Sequence, residues 1–216
     1  MAGVADDPFR SARLILSLRK AGIRDERVLE AMEIVDRSQF FDSSLKGLAF
    51  EDVCLPIPCG QTALRPSDVG RLLQLLDVKT DGQSVLVVGG GSGYIVALLQ
   101  RLCGDVRVTE RHQALVRDMT TRFAATGSDN VEVKHTDGLK GWPGSATSFD
   151  RILLTGTIAA VPDSLTAQLA PGGVIVAPIQ HGADITAARI GGDGDRQDVP
   201  LTGPVTPLTP GISVSL

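Results

Sequence analysis

The chain of 216 residues is poor in cysteine, in aromatic residues and in long apolar runs. Its three cysteines, Cys54, Cys59 and Cys103, are too few and odd in number for a disulfide framework, so reduced thiols and a cytoplasmic location are expected. No apolar stretch approaches the ~20 residues that span a bilayer, and residues 1–11 lack the apolar segment of a secretory signal. We therefore expect no membrane partner.

Excess positive charge is also missing, since 21 Lys and Arg face 25 Asp and Glu, for a net charge of −4. This balance argues against binding nucleic acid through a basic surface. His112, His135 and His181 lie on different predicted elements without ligand spacing, so no metal site is predicted. Hydrophobic residues make up 43% of the chain, enough for a buried core, and with 4% aromatic residues that core has to be largely aliphatic.

Short apolar strands alternate with amphipathic helices from Gln83 onwards. Strands that are apolar throughout are typical of a parallel sheet with both faces covered, so the predicted fold class is α/β with a doubly wound, Rossmann-like sheet. The predicted strands are Ser84–Val88, Asp105–Thr109, Val131–His135, Arg151–Leu154 and Val174–Pro178. The predicted intervening helices are Tyr94–Leu102, Gln113–Thr126 and Ser164–Leu169.

The first part of the chain is predicted to be helical, over Ser11–Ile34 with a break near Ala21-Gly22, and over Ser67–Leu76. Asp25 is placed to cap the helix after the break, and Pro66 to start the later helix. The Pro-, Gly- and Cys-rich stretch from Ala49 to Arg65 is predicted to be an ordered loop without regular elements. The end of the chain from His181 has a weak strand signal at Ala187–Ile190, and is either an antiparallel addition to the sheet or a loose tail.

A strand that runs into five small residues marks the candidate functional site. Gly89-Gly90-Gly91-Ser92-Gly93 opens a helix, so its backbone can adopt positive φ and a ligand can approach free N–H groups. Glu110 follows the next strand, where doubly wound folds place an acid on a pair of ribose hydroxyls. Asp137-Gly138 follows the third strand and can border an adenine ring. These strand ends meet at one crevice, unless Glu110 is a solvated surface acid and the glycines merely turn the chain.

The spacing of the glycines separates two classes of cofactor. A dinucleotide site favours glycine where Tyr94 stands, to pack the helix against the strand near a pyrophosphate. Glycines at alternate positions are more typical of a site for S-adenosylmethionine, which has ribose and adenine but no phosphate. S-adenosylmethionine, with S-adenosylhomocysteine as its product, is the predicted cofactor. Its predicted binding residues are Gly89, Gly91, Ser92, Gly93, Glu110, Asp137 and Gly138.

Several segments between about Gly22 and Leu201 match segments of a known protein family, and they occur in the same order in both. They are Gly22–Met32, Ala49–Asp52, Leu55–Ile57, Gly60–Thr62, Val88–Tyr94, Asp129–Val133, Asp137-Gly138, Phe149–Ile152, Leu169–Gly173 and Val199–Leu201. With them the sequence resembles the protein-L-isoaspartate O-methyltransferase family, which belongs to the class I S-adenosylmethionine-dependent methyltransferases. The glycine loop is shared by many methyltransferases, whereas Gly60-Gln61-Thr62 is specific to this family.

The resemblance implies methyl transfer from S-adenosylmethionine to the misplaced α-carboxylate of isoaspartyl residues in damaged proteins. The ester then closes to a succinimide unaided, and hydrolysis returns some normal aspartate. The resemblance also implies a monomer that acts on isoaspartyl peptides and proteins. It implies one methyltransferase domain over 1–216, with N-terminal helices and a substrate loop in 1–80, a cofactor-binding core in 81–180 and C-terminal strands or a tail in 181–216. Because a carboxylate is ionised at pH 7, positioning and desolvation are expected to supply the acceleration.

Leu64 departs from the family pattern, which has a serine at that position beside the reacting carboxylate. Leucine cannot donate a hydrogen bond, so the Thr62 hydroxyl or backbone N–H groups around Ala63–Arg65 would have to serve. Thr62 and the Leu64 position are therefore the catalytic candidates. Arg65 is either a carboxylate partner or a solvated loop cation. The substrate-binding candidates are Gln61, Ala63 and Arg65.

Val87 is the second departure, because the family usually has an acid two residues before the first glycine. Gly90 stands where Thr, Ser or Cys is common. Both changes predict cofactor binding that is retained but weakened. Thr155, just past the fourth predicted strand, is either part of the pocket floor or a plain strand-end residue, and Trp142 is expected to pack in the core.

Three hypotheses from different classes follow. The first is an ordinary or slow isoaspartyl repair methyltransferase. The second is a methyltransferase of the same fold with another carboxylate or hydroxyl acceptor, and the third is a non-catalytic relative that binds S-adenosylmethionine or a protein partner. Retention of Glu110, Asp137-Gly138 and Gln61-Thr62 favours the first hypothesis. Leu64 and Val87 favour the second or the third, in which the acceptor has changed or the activity has been lost.

Overall fold

The computed structural model describes residues 9–127, 129–144 and 148–214. Most of residues 1–11, where no secretory signal is expected, and the last two residues of the expected tail lie outside this part. The helices are α1 (Arg10–Lys20), α2 (Glu26–Ile34), α3 (Pro66–Leu76), α4 (Tyr94–Leu102), α5 (Gln113–Ala125) and α6 (Asp163–Thr166). The strands are β1 (Leu55–Ile57), β2 (Gln61–Ala63), β3 (Ser84–Val88), β4 (Asp105–Glu110), β5 (Val131–His135), β6 (Phe149–Leu154), β7 (Leu169–His181), β8 (Asp184–Gly191) and β9 (Arg196–Pro200).

Seven strands form one sheet in the order β5-β4-β3-β6-β7-β8-β9. Strands β3 to β7 are parallel to one another, and β8 and β9 add an antiparallel edge next to β7. The order reverses direction between β3 and β6, and open α/β sheets bind ligands in the crevice at such a switch point. The predicted doubly wound fold with an antiparallel C-terminal edge is confirmed.

Two hydrophobic cores lie on opposite faces of the sheet, and β3 contributes to both because alternate side chains point to opposite faces. Val85 and Val87 belong to the larger core, which includes the N-terminal helices with α3 and α4. Leu86 and Val88 belong to the smaller core, where the aromatic ring of Trp142 packs as predicted. The wholly apolar sequence of β3 is therefore explained by burial on both faces.

The N-terminal elements follow the predicted start signals. The Asp25 side chain accepts hydrogen bonds from the N–H groups of Arg27 and Val28 and so caps α2. Pro66 occupies the first turn of α3. Between these two helices the chain forms two short 3₁₀ helices, Arg37–Phe40 and Lys46–Leu48.

The prediction of a loop without regular elements over 49–65 is wrong, because the stretch contains the antiparallel pair β1 and β2. The chain reverses through Cys59 and Gly60, with φ angles of 64° and 65°. Each strand has three residues, which is too short for an alternating pattern to show in the sequence.

The predicted boundary between the last helix and the fifth strand of the parallel part of the sheet is also wrong. Helix α6 ends at Thr166, and β7 already begins at Leu169. Phe149 pairs with Leu169 but Arg151 pairs with Val174, so residues 170–173 bulge out of the ladder. The Pro171-Gly172-Gly173 sequence therefore marks a bulge within one strand and not a turn before it.

Of the two alternatives for the end of the chain, the antiparallel addition to the sheet is confirmed. The alternative of a loose tail is wrong for the described residues. The weak signal at Ala187–Ile190 falls within β8. Beyond β9 the chain turns back, and Thr206–Ser213, the C-terminal segment, crosses the carboxyl edge of the sheet. Pro207 pairs with Thr157 after β6, and Ser213 pairs with His112 after β4.

Candidate functional site

The glycine loop after β3 is built around backbone conformations that favour glycine. Gly89, Gly91 and Gly93 have φ angles of 90°, 55° and 86°. A Cβ atom at Gly89 would lie 2.7 Å from Thr155 Oγ1, so the strand end after β6 approaches the loop closely. Gly93 is the N-cap residue of α4 and leaves the first N–H groups of the helix near the loop.

Gly90 has a steric cause in this chain. A Cβ atom there would lie 2.5 Å from Met119 Cε and 2.8 Å from Val108 Cγ1. Met119 of α5 therefore fills the volume that a Thr, Ser or Cys side chain would need. The departure at Gly90 follows from packing between α5 and the loop.

Two carboxylates follow the neighbouring strand ends, and both are held by backbone amides. Glu110, 4% exposed, accepts hydrogen bonds from the N–H groups of Gly91 at 3.1 Å and His112 at 2.9 Å. Asp137, 7% exposed, accepts from Leu139 N–H at 3.1 Å and from Gly211 N–H at 2.8 Å. The alternative of a solvated surface acid at Glu110 is wrong, because its carboxylate is buried and bonded to the glycine loop.

Two adjacent cavities lie at this edge of the sheet, and the larger cavity of these two has a volume of about 240 Å³. It brings together seven predicted site residues: Gln61, Thr62, Gly89, Gly91, Glu110, Asp137 and Gly138. Ile57, Leu115, Leu139 and Leu208 add apolar surface. Two buried carboxylates can accept hydrogen bonds from a ribose diol and from an amino group, and the apolar side chains can contact a purine ring. These residues fit an adenosyl group.

The volume of the larger cavity lies below the ~300–1,000 Å³ that is common for ligand sites. Residues 206–209 of the C-terminal segment line it. The Gly211 N–H bond on Asp137 belongs to the same segment. The C-terminal segment therefore narrows the end of the cavity at which the carboxylates lie.

A smaller cavity of about 40 Å³ lies between the glycine loop and the residues around β2. We call Gln61–Arg65 the lip. Thr62, Ala63 and Leu64 of the lip line this cavity, together with Gly89, Gly90, Gly91, Ser92, Tyr94 and Thr155. Thr62 and Thr155 line both cavities, so the two are adjacent. Thr155 is thus part of the pocket, and Leu64, 6% exposed, is one of the residues that line the smaller cavity.

The smaller cavity has no carboxylate, imidazole, amine or thiol among the described residues that line it. Its one ionisable side chain there is Tyr94, and burial raises the pKa of that phenol above its ordinary value. The cavity can therefore position a reacting group but cannot take a proton from it near pH 7.

Two predicted site residues, Gly93 and Arg65, line neither cavity. Gly93 acts instead as the helix N-cap. The Arg65 side chain is 25% exposed, and its Nε lies 3.3 Å from Oδ2 of the fully buried Asp68. The interpretation of Arg65 as a solvated loop cation is wrong, because its guanidinium is half-buried and ion-paired. Val87 is fully buried in the larger core and does not line the cavities.

Sequence reasoning missed the contribution of Ile57, Leu115, Leu139 and residues 206–209 to the larger cavity. Apolar residues next to a loop have no distinguishing pattern, and the C-terminal segment carries no motif. Cys54 and Cys59, which lie close to the lip in the sequence, are free thiols, and burial raises the pKa of both, which disfavours a role as a redox pair.

In the described part of the chain, no three His, Cys, Asp or Glu side chains come together as metal ligands. None of the helices in this part has the length and apolarity that a bilayer-spanning helix requires.

The chain is similar to known proteins over nearly its full length. The family model described as protein-L-isoaspartate(D-aspartate) O-methyltransferase matches residues 9–198. The protein-L-isoaspartate O-methyltransferase of Azorhizobium caulinodans is 41% identical over 209 residues, which cover 95% of this chain and 95% of that protein. The protein of the same name from Rhodospirillum rubrum is 44% identical over 173 residues, covering 80% and 78% of the two chains.

Solved structures agree on the fold. A Plasmodium falciparum structure, described as a protein-L-isoaspartate O-methyltransferase in complex with S-adenosyl-L-homocysteine, has a TM-score of 0.78 at 21% identity and covers 91% of this chain and 97% of that one. A second structure, described by the same enzyme name, has a TM-score of 0.76 at 23% identity, with 92% and 67% covered. From the family match and the relatives above 40% identity, the chain belongs to the protein-L-isoaspartate(D-aspartate) O-methyltransferase family.

Proposed function

We propose that this protein transfers the methyl group of S-adenosylmethionine to the α-carboxylate of isoaspartyl residues in damaged proteins. The observation that carries the proposal is the chemistry of the smaller cavity, which lies beside the glycine loop and whose described lining residues include no base near pH 7. An acceptor that is already a nucleophile at pH 7 needs no base, and a carboxylate with a pKa near 4 meets this condition. A hydroxyl acceptor would need one.

The cofactor supplies an electrophilic methyl group when bound. The residues of this chain supply orientation, because Glu110 and Asp137 offer fixed acceptors to the ribose and adenine, and Gly89 and Gly91 let the backbone come close. The Thr62 hydroxyl and the backbone of the lip would orient the acceptor carboxylate. Leu64 cannot donate a hydrogen bond, but its buried side chain excludes water from the smaller cavity.

The non-catalytic alternative is disfavoured by the arrangement of the two cavities. Thr62, Gly89, Gly91 and Thr155 line both of them, so a bound adenosyl group and an acceptor would meet there. We further propose that the chain forms one methyltransferase domain and acts as a cytoplasmic monomer, in line with its few free thiols.

Methyl transfer from labelled S-adenosylmethionine to an isoaspartyl peptide tests the proposal, with the matching aspartyl peptide as the blank. We expect the natural protein to methylate the isoaspartyl peptide selectively. The Leu64→Ser variant should do so about tenfold faster, because one hydrogen bond to a charged group contributes about 1.5–3 kcal/mol. Transfer by Leu64→Ser alone would show that the acceptor site of the natural protein has changed. No transfer by either protein would overturn the proposed function.

A further inference from the structure

Arg37 is a charged side chain in the interior, directly behind the lip. Arg37 is the first residue of the 3₁₀ helix that follows α2, and it is 1% exposed. Nη1 donates to Ala49 O at 2.8 Å, and Nη2 donates to Leu64 O at 3.0 Å and to Val53 O at 3.3 Å. Three carbonyl groups from the stretch between α2 and α3 therefore converge on one side chain.

Within the described part of the chain Arg37 forms no salt bridge, and the carboxylate that acts on its charge, Asp52, lies beyond salt-bridge distance. The Nε atom of Arg37 is buried and has no hydrogen-bond partner there. Burial lowers the pKa of Arg37, which is the sign of a charge held at a desolvation cost. An apolar side chain of similar volume would fill the same space without that cost, so packing alone does not account for an arginine here.

Two aromatic rings contact the guanidinium of Arg37. Its central carbon lies 4.9 Å from the ring centroid of Phe41 and 5.7 Å from that of Tyr94. Tyr94 is the first residue of α4, directly after the glycine loop. Arg37 thus contacts the backbone of Leu64 and the ring of Tyr94, and both of these residues line the smaller cavity.

We propose that Arg37 is a positioning residue that holds the lip against the glycine loop, and so sets the shape of the acceptor cavity. A peptide group is planar, so a fixed Leu64 carbonyl also fixes the plane of the peptide that follows it. With leucine at position 64 the lip has lost a side-chain donor, and the acceptor depends on the placement of Thr62 and of the backbone. This inference rests on the proposed function.

Arg151 offers a matched control. It is also buried, and it forms no salt bridge within the described residues. It donates to Leu76 O at 2.7 Å, Asp150 O at 2.8 Å and Asp77 O at 3.0 Å. Arg151 lines neither cavity, so it has the same chemistry as Arg37 without the connection to the lip.

The experiment compares Arg37→Met, Arg37→Lys and Arg151→Met with the natural protein. For Arg37→Met we expect kcat/KM for the isoaspartyl peptide to fall at least about tenfold, because small misplacements of reacting groups are costly. The Kd for S-adenosylhomocysteine should stay within about twofold, since Glu110 and Asp137 are untouched. Arg151→Met should lower Tm by about as much as Arg37→Met does, but without the selective loss of kcat/KM. Arg37→Lys should retain part of kcat/KM because it keeps a buried donor.

Equal losses of kcat/KM in Arg37→Met and Arg151→Met would overturn the proposal, and so would a parallel loss of cofactor affinity in Arg37→Met. If Arg37→Met does not fold, Arg37→Lys decides, and an unchanged kcat/KM in that variant would count against positioning. If the natural protein methylates no peptide, the proposed function fails. Hydrogen exchange then still tests whether Arg37 holds the lip in place. Faster exchange confined to the lip amides in Arg37→Lys would support it, whereas unchanged lip exchange would refute it.

Discussion

The two ends of the site are held together by different forces. At the acceptor end the lip is fixed by buried side chains, with Leu64 packed in the larger core and Arg37 behind it. At the adenine end, Glu110 and Asp137 are fixed by backbone N–H groups, one of which comes from Gly211 of the C-terminal segment. The apolar side chain of Ile212 in that segment is 56% exposed and adds little burial.

The difference indicates which end can rearrange. Moving the lip would expose the buried Leu64 side chain and would take the Leu64 carbonyl away from the buried guanidinium of Arg37, and both changes cost free energy. Moving residues 211–213 of the C-terminal segment would mainly exchange backbone hydrogen bonds for bonds to water or to a ligand, and such exchanges cost little net. We therefore expect a rigid acceptor end and an adenine end whose carboxylates can change partners.

The largest expected contrast comes from one substitution made at both ends. Leu64→Ser should lower the free energy of unfolding by about 3 kcal/mol, because it removes a buried leucine side chain. Ile212→Ser should change it by less than about 0.5 kcal/mol, because the side chain is already exposed. Urea denaturation of the two variants measures both values, and equal losses would mean that the two ends do not differ as described.

Glu110→Ala tests whether the carboxylates at the adenine end carry cofactor affinity. Loss of hydrogen bonds to a charged group should cost about 1.5–3 kcal/mol, so S-adenosylhomocysteine should bind about ten- to a hundredfold more weakly. Glu30→Ala, on the exposed face of α2, is the control and should leave the Kd unchanged. Calorimetric titration gives both constants, and similar affinities for the two variants would contradict the assignment of Glu110.

The smallest effect is expected from releasing the C-terminal segment. Gly211→Pro removes the N–H donor to Asp137 and cannot adopt the φ of 86°, so S-adenosylhomocysteine should bind about threefold to tenfold more tightly if the segment competes for that carboxylate. Gly194→Pro is a matched control, because Gly194 has a φ of 89° and donates its N–H to Gly191 O at 3.0 Å in the turn between β8 and β9. Weaker binding in Gly211→Pro would show that the segment is a wall of the site and not a competitor.

Sequence reasoning was most accurate where a local pattern carries the structure. The apolar run of β3, the positive-φ glycines after it and the Asp25 cap depend on residues within a few positions of each other. It failed where strands were short, as in β1 and β2, and where a bulge continued β7 through Pro171-Gly172-Gly173. Three-residue strands leave no periodic signal, and a bulge has the same composition as a turn.

The candidate site divides in the same way. Glu110 and Asp137 could be predicted because parallel strands end at one edge, so a position directly after a strand already has a place in the fold. Arg65 was misinterpreted because the burial of its partner Asp68 could not be predicted from the neighbouring sequence. That burial depends on the packing of the start of α3 against residues 202–203. Arg37 gave no signal, since an arginine after a helix is ordinarily exposed.

The sequence by itself determined the α/β class, the glycine loop and the acids at the carboxyl ends of β4 and β5, because these follow from local conformational preference and from the burial of apolar strands. The tertiary structure alone decided that the C-terminal segment meets Asp137, that Arg37 holds the carbonyl of Leu64, and that Thr62 lies between two cavities. These contacts join residues 27 or more positions apart, such as Arg37 with Leu64 and Asp137 with Gly211. Their formation depends on the packing of whole elements, which no pattern of neighbouring residues encodes.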